Sequence, residues 1–289
     1  MIGEPGTNGD AGYRRRKITD AIFRWLCGGA VVLALVPLAS VLYYVTYRGI
    51  GGVDLDFFTS LPKPVGETGG GMGNALSGTL VLVGMACLIG IPIGVLAGVF
   101  LAEFPGSRFS TVVRFSADVM SGIPSITVGI FAYAVVVLPM GRFSAIAGSI
   151  ALAVIMLPTV TRTTEELLRL VPGTLREAAL GLGVSKWRAT LWIVLRTAAP
   201  GIITGVMLAI ARVGGESAPL LFTAFNNRFW SQGIDQPIAS LPVQIYTYAV
   251  SPFEDWHRQA WAAAFVLVAL VLLLNVTAKV LVRNPVRGK

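Results

Sequence analysis

The sequence predicts an all-α integral membrane protein, and three observations lead to that prediction. Hydrophobic residues make up 54% of the chain and charged residues only 13%, whereas roughly 25% of residues are charged in an average soluble protein. Several apolar runs approach the roughly 20 residues that a helix needs to cross the hydrocarbon core of a bilayer. Polar stretches with glycine and proline separate these runs, as they do between successive helices. Nothing in the composition indicates a separate soluble domain.

Six spans are expected, at about 22–47, 74–104, 116–138, 143–161, 192–225 and 258–282. The first follows the basic run Arg14–Lys17 and is longer than the 7–15-residue apolar core of a signal peptide, so we expect it to stay uncleaved. Residues 1–20 are predicted to be a disordered cytoplasmic tail, 21–283 the transmembrane domain and 284–289 a second cytoplasmic tail.

Proline and glycine mark features inside two of these spans. Pro92 is expected to interrupt the second span, where three glycines four residues apart, at 90, 94 and 98, would let another helix approach closely. Pro124 should disrupt the third span, because proline lacks a backbone donor and clashes with the preceding turn. Broken backbone inside a membrane is tolerated only where it is buried or lines a polar cavity.

The distribution of basic residues predicts the orientation. In the six-span topology, 17 of the 23 Lys and Arg residues face the cytoplasm, five face outward, and Arg212 alone lies within the membrane. The positive-inside rule then places both termini in the cytoplasm. Because the basic residues are scattered between spans, the net charge of +8 is better explained by membrane orientation than by a nucleic-acid partner.

The charged residues of the fifth span are the strongest candidates for a translocation path. Arg212 and Glu216 are four residues apart, so on a continuous helix they would share one face and could pair. Charges within a membrane usually face a bundle interior or a water-filled route, and arginine can hold an oxyanion through two parallel hydrogen bonds. Pro219 should break the helix one turn later. We assign Ser217 and Arg162, which lies at the end of the fourth span, to the same path. The alternative is a buried ion pair that only fixes helix packing.

Residues 172–190 form a polar segment between the fourth and fifth spans. Thr174 and Glu177 have the spacing of a capping box, which predicts a helix start there. Gly181 and Gly183 should weaken or end that helix. The segment is too polar to cross a bilayer, so we expect it to lie in the cytoplasm and to offer a surface to a partner. Glu177 could alternatively be only a capping residue.

Other function classes find little support. The single histidine, His257, cannot complete a nucleophilic triad or a metal site, and Cys27 and Cys87 both fall in apolar segments. No phosphate-binding glycine loop followed by Lys and Ser or Thr is present. We therefore expect no enzyme activity, no metal and no cofactor in this chain. A secondary transporter or channel stays open as an alternative.

Two strings of residues resemble known transport proteins. Glu177, Ala178 and Ala179, followed by Gly183, resemble the EAA loop of ABC importer permeases, although Arg196 stands where that family usually has proline. The string from Ala211 to Leu221, which contains Arg212, Glu216 and Pro219, resembles the signature of phosphate-specific, Pst-type ABC permeases, on the side of their A-type subunit. The likeness extends from about Gly71 to the C-terminus.

This resemblance implies a type I ABC importer permease architecture with a cytoplasmic coupling helix, in a bacterial inner membrane. It implies that Glu177, Ala178, Ala179 and Gly183 dock an ATP-binding subunit. The expected partners are a second permease as heterodimer, two ATP-binding subunits carrying ATP and Mg²⁺, and an extracytoplasmic phosphate-binding protein. The expected cargo is inorganic phosphate, with sulfate or molybdate as alternatives.

Overall fold

The computed structural model describes residues 8–67 and 69–283, and every regular element within these ranges is helical. The chain divides into two compact units, the first ending at Arg48 and the second beginning at Gly49.

The first unit consists of the long helix α1 (Asn8–Gly49), which ends at the start of the second unit. The expectation of a disordered tail over 1–20 is therefore wrong for residues 8–20, which are helical. Arg and Lys are good helix formers, and extending an existing helix costs far less than nucleating a new one. Residues 1–7 and 284–289, the remainder of the two predicted tails, lie outside the described residues.

The second unit contains helices α2 to α13 in its described residues. Their bounds are α2 (Leu55–Thr59), α3 (Gly73–Glu103), α4 (Arg108–Gly122), α5 (Ser125–Ala132), α6 (Leu138–Met140), α7 (Ala145–Leu170), α8 (Gly173–Gly181), α9 (Lys186–Arg188), α10 (Leu195–Gly214), α11 (Ala218–Leu221), α12 (Leu241–Ala249) and α13 (Glu254–Arg283). Two π-helical segments make continuous connections, Tyr133–Val137 between α5 and α6 and Ala189–Val194 between α9 and α10.

Five helices in the described chain are long and apolar enough to cross a membrane, and a bent pair makes a possible sixth span. That pair, Arg108–Gly122 and Ser125–Met140, meets at an angle of 108°. The predicted third span at 116–138 is therefore not one straight helix. The predicted fifth span at 192–225 also differs, because its helix runs over Lys186–Gly214 and the chain then leaves the helical path.

The centre of the second unit is the packing of α3 against α7. Gly90, Gly94 and Gly98 are buried on the face of α3 that meets α7. A Cβ atom at Gly94 would lie 2.8 Å from the Val160 side chain, and one at Gly98 would lie 2.5 Å from Thr164. The glycines thus allow a close helix approach, as the sequence indicates. Pro92 does not interrupt α3, which continues through it; membrane helices tolerate proline where their surroundings satisfy the freed carbonyl.

Candidate translocation path and coupling segment

A cavity of about 340 Å³ lies at the break between α4 and α5. Helix α4 ends at Gly122 and α5 begins at Ser125, with extended backbone at Ile123 and Pro124 between them. Helices α7 and α10 complete the walls. The lining residues are Met120, Ser121, Ile123, Ser125, Thr127, Val128, Phe131, Val154, Ile155, Pro158 and Arg212. The break expected at Pro124 thus lies beside a cavity that is mainly apolar but carries three hydroxyl groups and one guanidinium.

Arg212 supplies the only charge among these lining residues. It belongs to the last turn of α10, and its backbone carbonyl accepts a hydrogen bond from Gly215 at 3.2 Å. Its side chain is exposed on the surface of the isolated subunit and makes no ion pair within the described part of the chain. The guanidinium is therefore available to an anion in the cavity.

The expected pairing of Arg212 with Glu216 on one helix face is wrong. Helix α10 ends at Gly214, and Glu216 lies in the connection to α11. Residues four apart share a face when the helix is continuous, and the two glycines at 214 and 215, which favour neither helix nor strand, end the helix before that turn is complete. The structure shows no ion pair between these two residues in the described chain, so it lends no support to the alternative of a packing ion pair between them.

The helix break expected at Pro219 occurs earlier in the chain. Gly215, Glu216 and Ser217 form the connection, and Pro219 is already in the first turn of α11, where its missing backbone donor costs nothing. Pro219 packs against Gly129 of α5, where an added Cβ would lie 2.6 Å from the Pro219 Cα. Ser217 is half-buried and its carbonyl accepts from Leu220 and Leu221, so the residue forms the turn that starts α11.

Arg162 lies in a charged cluster rather than among the residues that line the cavity. Its guanidinium pairs with Asp118 of α4 at 2.8 Å and with Glu165 at 3.0 Å. Glu165 is 1% exposed and also pairs with Arg114 and Arg169, each at 2.7 Å. Sequence reasoning missed this cluster. The spacing of 162, 165 and 169 on one helix face was the available signal, but the Arg114 partner is 51 residues away along the chain.

The coupling segment folds as a helix, a glycine turn and a second helical start. Helix α8 ends at Gly181, and Gly183 has a left-handed backbone with φ of +78°, which glycine adopts without strain. The predicted capping box is wrong. Pro172 occupies the N-cap position, α8 begins at Gly173, and no side chain caps its first turn; proline fixes the extended entry to the helix in place of the Thr174 hydroxyl.

The predicted docking residues divide between the two faces of α8. Glu177, Ala178 and Gly183 are exposed, whereas Ala179 is buried and its carbonyl accepts a hydrogen bond from Val184 at 3.0 Å. Ala179 therefore holds the turn together from inside, and Glu177 and Ala178 lie on the outer surface. Several large apolar side chains of this segment are also exposed: Leu175, Leu180, Leu182 and Trp187.

Comparison with known proteins decides the family. Residues 90–287 match the family described as binding-protein-dependent transport system inner membrane component. The chain is 44% identical over 270 residues to the phosphate transport system permease protein PstA of Yersinia pestis, covering 93% of this chain and 91% of that relative. The chain belongs to this permease family. The PstA protein of Haemophilus influenzae is 45% identical, with 93% and 96% covered, and the probable PstA of Methanocaldococcus jannaschii is 34% identical, with 94% and 96% covered.

Solved structures of this permease type share its fold. A bacterial alginate ABC transporter, in complex with a periplasmic protein bound to an alginate pentasaccharide, aligns over 95% of this chain and 98% of its own, with a TM-score of 0.67 and 12% identity. An inward-facing MetNI methionine ABC transporter aligns over 73% and 92%, with a TM-score of 0.57 and 22% identity. At these identities the comparison supports the fold. The predicted type I ABC importer permease architecture is confirmed.

Proposed function

We propose that this protein is the permease subunit of an ATP-driven importer of inorganic phosphate and forms part of its translocation path. The observation that carries the proposal is the Arg212 guanidinium, which lines the cavity and is free of ion pairs in the described chain. A guanidinium holds an oxyanion through parallel charged hydrogen bonds. Relatives that are 34% to 45% identical and named for phosphate transport favour phosphate over sulfate or molybdate.

The expected assembly follows that of binding-protein-dependent transport systems. A second permease would form a heterodimer with this chain, and an extracytoplasmic binding protein would deliver phosphate. Two ATP-binding subunits would hold ATP and Mg²⁺, neither of which this chain is expected to bind. The protein would lie in a bacterial inner membrane with both termini in the cytoplasm, the orientation that the positive-inside rule favours.

Transport would proceed by alternating access, with α8 as the element that the ATP-binding subunits move. Movement of α8 would reach α10 through the short helix α9 and the π-helical segment Ala189–Val194 that follows it. A π-helical segment has one residue too many for regular α-helical bonding, and such segments are frequent at functional sites. Arg212 lies at the far end of this continuous helical path.

Uptake of radiolabelled phosphate tests the substrate and the role of Arg212 together. Cells that lack this subunit and all other phosphate transporters would receive the wild type, Arg212→Gln, or Arg196→Gln. Arg196 is an exposed arginine near the start of the same helix and serves as the matched control. We expect phosphate uptake with the wild type and the control, loss with Arg212→Gln, and unchanged sulfate uptake throughout. Copurification of the partner subunits checks assembly.

Two results would contradict this proposal. If wild-type protein restores no phosphate uptake, phosphate is not the cargo. The second result is that Arg212→Gln abolishes assembly of the complex while Arg212→Lys preserves both assembly and uptake. Lysine restores a charge without the bidentate geometry, so this result would mean that Arg212 serves packing rather than anion recognition.

Glu177→Arg tests the docking surface of α8. The exposed carboxylate becomes a cation, so we expect phosphate uptake to be lost while the variant remains inserted in the membrane. Glu166→Arg changes an exposed carboxylate outside α8 and provides the control. Normal uptake by Glu177→Arg would remove Glu177 from the proposed interface.

A further inference from the structure

One arginine of the coupling segment connects three helices. Arg176 of α8 donates from Nη2 to the carbonyl oxygen of Leu168 at 3.2 Å. The same nitrogen lies 3.3 Å from Oε1 of Glu103, the last residue of α3. Leu168 belongs to the last turn of α7, whose carbonyls have no partner within the helix. Arg176 thus contacts the adjoining ends of α3 and α7.

The contact between Arg176 and Glu103 is incomplete. Glu103 Oε1 and Arg176 Nε are both buried, and neither has a hydrogen-bond partner in the described chain. The 3.3 Å approach is an ion pair without hydrogen-bond alignment. A buried donor and a buried acceptor without hydrogen bonds are costly. These two atoms could bond to each other, because rotating the guanidinium by a fraction of a turn would direct both Nε and Nη2 at the Glu103 carboxylate.

The surroundings allow such a rearrangement to reach α3 and α7. A buried apolar cluster, comprising Ala102, Leu168, Val171, Val194, Ala198 and Ile202, packs the ends of these two helices against the start of α10. Lys186, on the other side of the glycine turn, places its ammonium 4.9 Å from the centre of the Phe104 ring. Two cations of the coupling segment therefore contact consecutive residues at the end of α3.

We propose that Arg176 is a positioning residue that couples the movement of α8 to α3 and α7 by exchanging between two arrangements. In the arrangement described, the guanidinium holds the Leu168 carbonyl and touches Glu103. In the second, Nε and Nη2 bind the Glu103 carboxylate as a bidentate pair and release Leu168. This inference rests on the proposed function, since it takes α8 to be the element that the ATP-binding subunits move.

The test uses the complete complex in proteoliposomes, with phosphate uptake and ATP hydrolysis measured in the same preparation. The variants are Arg176→Gln, Arg176→Lys, Glu103→Gln and the Arg176→Gln/Glu103→Gln double variant, with Arg196→Gln as the control outside the contact. The readout is the number of phosphate ions transported per ATP hydrolysed, together with the stimulation of hydrolysis by phosphate-loaded binding protein. A residue needed only for folding would lower both activities in proportion.

We expect Arg176→Gln and Glu103→Gln each to lower transport per ATP by about tenfold, the factor associated with losing a hydrogen bond to a charged group. The double variant should be no worse than the single ones, because both remove the same contact. Arg176→Lys should be intermediate, since an ammonium supplies charge without the bidentate fork.

An unchanged ratio in assembled Arg176→Gln would overturn the inference, as would additive losses in the double variant. Failure of the proposed function gives a different pattern. Wild-type complex would then transport no phosphate, and stimulation of ATP hydrolysis by other loaded binding proteins would identify the cargo with which the same ratio is measured.

Discussion

Two buried carboxylates, Glu165 and Glu103, differ in how completely they are paired. Glu165 has hydrogen bonds or ion pairs with three arginines at 2.7 to 3.1 Å. Glu103, 8% exposed, has one ion pair at 3.3 Å and an oxygen without a hydrogen bond. Movement would break hydrogen bonds and ion pairs of the fully paired Glu165 carboxylate. By contrast, movement could bring the Glu103 carboxylate into a hydrogen bond that it lacks. Under the proposed coupling, the contact between α4 and α7 would stay fixed while the contact between α3 and α8 would move.

The largest expected effect on stability comes from neutralising Glu165, the fully paired carboxylate. Glu165→Gln would leave three guanidinium groups together without their common anion, and loss of one partner from a buried pair costs about 3–5 kcal/mol. Because the arginine side chains are 25% to 46% exposed, we expect the lower end of this range. Thermal unfolding of the purified protein measures the loss. Glu166→Gln, which neutralises the adjacent exposed carboxylate, should change stability little. If Glu166→Gln destabilised the protein as much as Glu165→Gln, the ion pairs of Glu165 would not be what holds α4 and α7 together.

A smaller effect is expected from Arg114→Lys. Arg114 donates to Glu165 Oε1 from both Nε at 3.1 Å and Nη2 at 2.7 Å. Lysine keeps the charge but supplies one contact in place of two, so stability should fall by about 1 kcal/mol, the net value of a hydrogen bond. Thermal unfolding again provides the measurement. If Arg114→Lys lowered stability as much as Glu165→Gln, the packing of the Arg114 side chain, rather than its second hydrogen bond, would be its main contribution to stability.

The smallest effect on stability is expected from Glu103→Gln. The ion pair that it removes lacks an aligned hydrogen bond, and Arg176 keeps its bond to Leu168. We expect a change of about 1 kcal/mol or less, with a large change in coupling. Unfolding and transport per ATP, measured on one preparation, check both parts. If Glu103→Gln destabilised the protein as much as Glu165→Gln, the contact between α3 and α8 would contribute as much to stability as the contact between α4 and α7, which would contradict the comparison.

The elements that the sequence predicts well depend on local signals. Helix α3 spans Gly73–Glu103 against an expected 74–104, because a glycine run precedes it and Pro105 follows it. The break at Pro124 is equally local. The 108° bend at that break is not determined by local signals. Proline sets where a membrane helix breaks, whereas packing against α7 and α11 sets the direction in which the chain continues.

The pairing that was wrongly expected and the ion pairs that were missed share one cause, the reliance on local spacing. Pairing Arg212 with Glu216 assumes that helical periodicity continues through two glycines, and the helix instead ends at Gly214. The partners of Glu165 and Arg176 lie 51 and 73 positions away in sequence, at Arg114 and Glu103. Local spacing predicts neighbours on one helix face, but ion pairs between helices depend on the register of their packing, which a single sequence does not contain.

In the proposed function, the place of Arg212 in the last turn of α10 bears on how the cavity would release an anion. The final carbonyls of a helix carry a partial negative charge equivalent to about half an electron, and the guanidinium is attached directly to that turn. Its charge is therefore partly balanced by backbone dipoles that never leave. In the proposed path, an anion entering the cavity would displace no carboxylate from Arg212, and on leaving it would leave a guanidinium whose charge is partly compensated by the helix carbonyls. In the proposed path, this partial compensation would weaken the attraction between Arg212 and a bound anion and so favour its release.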